Sequence, residues 1–311
     1  MKPDLLQTYP LQPQIEAELQ KRFRVHRWHE ISDKQAFLQA EAASIKAVVT
    51  GGHIGLTLEL AACLPALEIV AINGVGFDKV DLDQARARGF RVTNTPDVLT
   101  EDVADLAIGL SVMLLRQLVR ADHHVRSGEW KRGEMPLGNK ASRRRYGIYG
   151  LGRIGRAIAV RLEAFNAEIS YFSRQKQDVA YEYHSTAMSL ARDCDVLIVA
   201  AAATPETKHA INREVLEALG PDGVLVNVAR GSLVDEKALV DVLVAGGLKG
   251  AALDVFENEP HVPEALIGMR NVVLAPHIGA ATHETRLEMG ALVLANLDAH
   301  FAGRDLPTAV V

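Results

Sequence analysis

Three segments of the 311-residue chain carry a charged or titratable side chain just past a short apolar run. In VNVARGSLVDEKAL it is Arg230, beside a glycine; in GAALDVFENEP, Asp254 and then Glu259; in VVLAPHIGAAT, His277. In open α/β sheets ligands bind beyond the carboxyl ends of the strands, so side chains this far apart in sequence can converge there. One guanidinium, one carboxylate and one imidazole would suit reduction of a 2-oxo acid, with the cation on the acid group and the ring as proton donor. Each also has a plainer reading: Arg230 as a surface cation flanking a helix, Glu259 as an exposed loop acid, His277 as a hydrogen-bonded histidine at a strand end.

A second constellation is GIYGLGRIGRAIAVRL, where Gly150, Gly152 and Gly155 form G-x-G-x-x-G between an apolar strand and an amphipathic helix. One glycine makes the tight turn, one lets backbone touch a pyrophosphate, and one lets the helix lie close on the strand. The helix N-terminus then presents unpaired N–H groups to the phosphates. About twenty residues on, where an acid usually binds the adenosine ribose of NAD, the strand EISYF ends in Ser173, Arg174, Gln175 and Lys176, with no carboxylate until Asp178. A hydroxyl and two cations would bind a 2′-phosphate that an acid would repel, so the stretch predicts NADP(H) as preferred cofactor, with NAD(H) possible. The alternative is a polar, solvated turn.

These groups need a scaffold, and the chain supplies alternating short apolar runs and helical patterns, the signature of parallel sheets covered by helices. The first hundred residues predict strands near PDLLQTY, KAVVTG, LEIVAIN and FRVTNTP, with helices in PQIEAELQKRF, LTLELAACL and VDLDQARARG. One long helix follows in DVLTEDVADLAIGLSVMLLRQLVRADHHVRSGEW, with Thr100 as its cap, then an extended polar arm. Arg143, Arg144 and Arg145 end that arm, either as a phosphate site or as a solvated lead-in to a strand. A second α/β unit runs from Tyr146 to His277, and a last helix, ATHETRLEMGALVLANLDAHFAG, precedes a short tail.

Lys and Arg number 34 against 39 Asp and Glu, a net charge of -5, which argues against nucleic acid or an anionic membrane as partner. No run approaches the roughly eighteen apolar residues of a bilayer span, and the N-terminus has no signal-like pattern, so a cytoplasmic protein is expected. Cys63 and Cys194 read as two buried free thiols, and no cysteine or histidine spacing suggests a metal. His53, His123, His124, His261 and His283 read as surface or cleft residues.

The segments NGVGFDKVDL, NTPDVLTEDVADLAIGL, GIYGLGRIGRAIA, TPETKHAI, NVARGSLVDEKAL, ALDVFENEP and APHIGAAT, in this order between about Lys46 and Thr285, resemble the D-2-hydroxyacid dehydrogenase family. The resemblance implies two doubly wound parallel-sheet domains, a Rossmann cofactor domain (98–283) inserted into a flavodoxin-like substrate domain (1–97 plus 284–311), with a dimerisation arm near 118–145. It implies Arg230 as substrate-binding arginine, Glu259 as the carboxylate orienting the histidine, His277 as acid/base, and Asp254 near the nicotinamide carboxamide. Val75 and Gly76, with Gly52 of TGGHIG, resemble the cradle for the substrate carboxylate. Leu151, Arg153, Ile154, Thr207, Val228 and Gly279, with His277, fall in the cofactor-contacting motifs.

Few aromatics and a lean TGGHIG loop favour a small 2-oxo acid such as glyoxylate or hydroxypyruvate, reduced with NADPH to the D-2-hydroxy acid. A larger pocket would instead suit hydroxyphenylpyruvate. Relatives that oxidise formate carry an amide where Glu259 stands; phosphite oxidation is less firmly excluded. A nucleotide-sensing corepressor is the reading from another class. Trp130 resembles positions that reach a partner's cleft in a homodimer; otherwise it packs the arm on its own domain.

Overall fold

A computed structural model describes residues 2–311. Along the chain come β1 (Asp4–Gln7), α1 (Pro13–Arg22), β2 (Arg24–Arg27), α2 (Lys34–Glu41), β3 (Ile45–Gly51), α3 (Leu58–Ala62), β4 (Ile69–Asn73), α4 (Leu82–Arg88) and β5 (Arg91–Thr93). They form an all-parallel sheet in the order β2-β1-β3-β4-β5, the flavodoxin-like winding. β3 and β4 read as near-continuous apolar runs because helices cover both faces of such a sheet.

Next come α5 (Thr100–Leu115), α6 (Leu118–Arg126), β6 (Arg145–Tyr149), α7 (Arg153–Glu163), β7 (Glu168–Phe172), β8 (Glu182–His184), α8 (Ala187–Asp193) and β9 (Val196–Val199). α9 (Arg213–Leu219), β10 (Val224–Asn227), α10 (Glu236–Val244), β11 (Gly250–Leu253), α11 (Glu264–Gly268) and β12 (Val272–Leu274) complete a second parallel sheet, ordered β12-β11-β10-β9-β6-β7-β8. Strand order reverses between β9 and β6, the switch point at which Rossmann sheets bind dinucleotides.

α12 (His283–Phe301) then rejoins the first sheet, packing on α1 and β4, and Val92 of β5 bonds Val310 and Val311 through the backbone. The two compact units are therefore the residues up to Leu99 with Ala280–Val311, and Thr100–Gly279. The boundaries fall at 99/100 and 279/280, not 97/98 and 283/284: α5 packs on α7 and on β10, β11 and β12 of the second unit, and the loop before α12 belongs to the first.

Several local expectations are corrected. The long helix breaks at Gln117, which takes a left-handed conformation (φ 53°), and Thr100 is the first residue of α5 rather than its cap. β2, β8 and α2 were not expected: RVHR and EYH are edge strands, too polar and too short for a clear period. Cys194 is buried, its thiol pushed up to about 12 by desolvation, but Cys63 is exposed just past the short helix α3.

Two of the three arginines in the cluster before β6 face an acid. Arg145 bonds Asp195 (Nη2–Oδ1 2.7 Å), and Arg144 lies 3.9 Å from the same carboxylate. Arg145 opens β6, whose five residues put the glycine loop about 16 Å away at the strand's other end. Burial works to raise the Asp195 carboxyl, yet the hydrogen bonds of Arg145 and the charges of Arg145 and Arg144 together hold the group below its usual range. Among the described residues no helix is long and apolar enough to cross a membrane.

Candidate active site

The glycine loop follows β6. Gly150 has φ +105°, and a Cβ there would lie 2.6 Å from the Ala201 backbone, so the tight turn requires glycine. A Cβ on Gly155 would lie 2.0 Å from the Gly150 carbonyl oxygen, so α7 rests directly on the turn. A Cβ on Gly152 would meet nothing within 4 Å, and Gly152 caps α7 without a side-chain hydrogen bond. Packing thus fixes the outer glycines, while the middle one leaves open the approach to the first amides of an eleven-residue helix. A pyrophosphate fits that arrangement. Leu151 is buried in the turn, Arg153 is exposed as the first residue of α7, and Ile154 is half-buried beside it. Tyr149, bulky for its place, is accommodated by stacking on Phe172 (centroids 4.9 Å, 14°).

Past β7 the chain turns on the buried Tyr171, whose hydroxyl accepts from the Gln177 amide (2.8 Å) and donates to its carbonyl (3.1 Å). Ser173 Oγ donates to the Gln175 carbonyl at 2.6 Å, so its hydroxyl helps to shape the turn. Arg174, Gln175 and Lys176 are exposed, and neither cation forms an ion pair among the described residues. Across from them, Glu206 is held below the usual carboxylate range first by the Thr204 hydroxyl and, least, by the field of Arg174. Thr207 closes the turn after β9 by accepting from the Thr204 amide and donating to the Ala202 carbonyl.

The three chemical residues lie on the loops after β10, β11 and β12. His277 Nδ1 is 2.8 Å from Glu259 Oε2, and Glu259 Oε1 accepts from the Phe256 amide at 3.1 Å. With Nδ1 facing a carboxylate, Glu259 fixes the orientation of the His277 ring. His277 has φ +54°, unusual for a non-glycine residue, and Asp254 sustains that backbone. The Asp254 carbonyl accepts from His277 N (2.8 Å), and its carboxylate accepts from Ile278 N (2.7 Å) and Gly279 N (2.9 Å). Burial pushes the Asp254 carboxyl up, and the two amides oppose that rise. Asp254 therefore shapes the turn that displays His277, a role its sequence position did not reveal.

Arg230 leaves β10 on a loop braced by buried Asn227, which donates to the Arg230 carbonyl (3.0 Å) and accepts from Ala229 N (3.1 Å). A Cβ on Gly231 would lie 1.9 Å from the Phe256 carbonyl carbon, so this loop lies directly on the backbone whose amide holds Glu259. Val228, buried beside it, donates its amide to Val199. Glu236 is raised first by burial, with the Glu257 and Glu259 charges adding to it, a nearby acid that no motif flagged.

In the first unit, a Cβ on Gly74 would be 3.1 Å from Gly52, so the two loops touch through backbone. Asn94 Nδ2 holds the Val75 carbonyl (2.8 Å) and Thr95 N the Gly74 carbonyl (2.9 Å). The amides of Val75 and Gly76 donate to no acceptor among the described residues, which suits an anion. Tyr9, Asn73 and Arg286 of the same unit border a cavity that sequence reasoning missed.

Residues 108–279 match the family model described as D-isomer specific 2-hydroxyacid dehydrogenase, NAD binding domain. The chain is 52% identical over 308 residues to glyoxylate/hydroxypyruvate reductase A of Arabidopsis thaliana, covering 99% of this chain and 98% of that protein. It is 53% identical over 308 residues to hydroxyphenylpyruvate reductase of Plectranthus scutellarioides, with the same coverage. Among solved structures, an NADPH-dependent glyoxylate/hydroxypyruvate reductase from Sinorhizobium meliloti, in complex with NADP and malonate, superposes with TM-score 0.94 at 45% identity, over 100% of this chain and 97% of that one.

Proposed function

The chain belongs to the D-isomer specific 2-hydroxyacid dehydrogenase family, and from that premise we propose that it reduces a small 2-oxo acid, glyoxylate or hydroxypyruvate, with NADPH. The observation that carries the reading is the Glu259–His277 pair, set on a backbone turn held by Asp254. Gly150, Gly152 and Gly155 and the first turn of α7 hold the pyrophosphate, Ser173, Arg174, Gln175 and Lys176 the adenosine phosphate, and Thr207, Val228, Asp254 and Gly279 the remainder of the cofactor. When bound, the nicotinamide supplies hydride to C2 of the oxo acid.

The chain's own residues do the rest. Arg230 grips the carboxylate and polarises the 2-oxo group with paired donors that lysine lacks. His277 gives its Nε2 proton to the developing alkoxide, and Glu259 keeps the ring oriented. Gly52, Val75 and Gly76 hold the carboxylate through backbone. NADPH consumption on adding glyoxylate or hydroxypyruvate tests the reading; a folded protein that binds NADPH but turns over neither would instead be a nucleotide sensor.

We also infer a homodimer. Leu118, Val119, Val125, Trp130 and Leu137 are exposed, Leu137 at 94%, and all lie in the stretch expected to meet a second copy. Burying such a strip is the usual reason a chain exposes one. Sedimentation should give a dimer that Trp130→Asp weakens. The exposed thiol of Cys63 fits a reducing, cytoplasmic setting, which fractionation would test.

A further inference from the structure

We propose that Glu182, His184 and Asp193 form a zinc site that ties the last strand of the seven-stranded sheet to the helix covering it. None of the three has a part in the reductase reading, so each idea can fail without the other. Glu182 and His184 stand two apart on β8 and share one face of that strand, while Asp193 ends α8, which packs on it. One carboxylate oxygen from each acid and one imidazole nitrogen all lie within 4.8 Å of one another.

The histidine gives the reason to expect a ligand. His184 Nε2 is buried without a hydrogen-bond partner among the described residues, although Asp193 Oδ2 is 3.4 Å away. A buried polar atom left unmet is uncommon and destabilising. Zinc binds imidazole at about 2.0–2.1 Å and carboxylate at about 2.0–2.2 Å, which sets neighbouring ligand atoms of a tetrahedral site about 3.4 Å apart. The observed separation is therefore long for a hydrogen bond and right for two ligands of one ion.

The neighbours support this arrangement. Arg145 Nη1 lies 3.7 Å from Asp193 Oδ1, the oxygen turned away from His184, and orients the carboxylate from behind. Its charge is met by Asp195 at 2.7 Å. Glu182 is exposed and forms no ion pair among the described residues, so its carboxylate can close on a cation. The cluster of Asp4, His26 and Glu41 differs: His26 Nε2 bonds Asp4 Oδ1 at 2.7 Å, and Arg24 bridges Asp4 and Glu41. That cluster already holds a cation of its own.

An imidazole between two carboxylates suits Zn²⁺ better than Mg²⁺ or Ca²⁺, which take oxygen ligands. β8 is three residues long and pairs with β7 alone, so an ion bonding it to α8 would secure an edge with few bonds of its own. Spacing along the chain gave no sign of the site, because its ligands meet only when α8 folds back on the strand.

The test is Zn²⁺ binding to the chelator-stripped protein, read by competition with a chromophoric chelator and by thermal melting. The intact protein should take up a single tight equivalent of Zn²⁺ and melt several degrees higher, and Mg²⁺ should do neither. His184→Ala should weaken Zn²⁺ binding about a hundredfold and erase the rise in melting temperature. Glu182→Gln, a change at an exposed position, should weaken it about tenfold and decides the matter alone if His184→Ala does not fold. His26→Ala, the control for the other cluster, should change neither readout. Zinc binding that survives unchanged in Glu182→Gln or in folded His184→Ala overturns the site, as does a loss in His26→Ala equal to theirs or an intact protein that binds no zinc.

Discussion

The two ends of the second sheet's ligand edge are built in opposite ways. Around His277 each group depends on another: Glu259 on the Phe256 amide, the His277 backbone on Asp254, and the Arg230 loop on the Phe256 backbone. Around Arg174 the turn is pinned by Tyr171, but the cations stand in solvent and form no ion pair among the described residues. A proton donor must sit within a fraction of an ångström of its target, and such precision comes from interlocked supports. Recognition of one phosphate needs only charge within reach, and independent side chains provide it. Losses at the first end should therefore be large and non-additive, and at the second modest and separable.

The sharpest break is His277→Ala, expected to lower kcat by about a thousandfold or more while NADPH binding persists, as single-turnover assay and fluorescence titration would show. Asp254→Asn comes next. It replaces one carboxylate oxygen by an N–H₂ facing an N–H donor, so stability should drop by about 1–3 kcal/mol and activity should fall although residue 277 is untouched. Denaturant melts with and without cofactor measure both. At the other end, Arg174→Ala should weaken NADPH about tenfold and leave NADH nearly unchanged; equal loss for both cofactors would erase the contrast drawn here.

The smallest effect is at the far edge of the sheet. Arg145→Met should cost about 1 kcal/mol near neutral pH by removing the nearest of the charged partners of Asp195. Asp195 has a lowered carboxyl in the folded state, so its contribution is complete above the ordinary value of 3.8 and fades as pH falls through the folded value. Melts of both proteins should therefore converge in acid.

How much the sequence disclosed follows from the range of each interaction. Buried parallel strands such as IVAIN and VLVN show as apolar runs, and the three glycines announce their own backbone demands. The pairing of Glu259 with His277 was implied by the resemblance of ALDVFENEP and APHIGAAT to the family's motifs, while strand-end positions alone said only that the two could converge. The arginine cluster left two readings open because its partner, Asp195, lies 50 residues on, at the start of the neighbouring strand β9. The Gln117 break was hidden because the apolar pattern continues through it. Asn73 and Arg286 drew no attention because their cavity exists only when β1, β4 and α12 meet; Tyr9 and Arg286 are 277 positions apart.

That separation bears on how the polypeptide is made. The first sheet is covered by α12 and bonded at Val92 by Val310 and Val311, residues made only after the whole of the second unit. During synthesis β1 to β5 must wait, partly naked, while the whole of Thr100–Gly279 emerges and folds as a closed body of its own. A chaperone that guards nascent chains would find its longest task on the earliest residues, and a premature stop before α12 would release a finished nucleotide module tethered to an unfinished one.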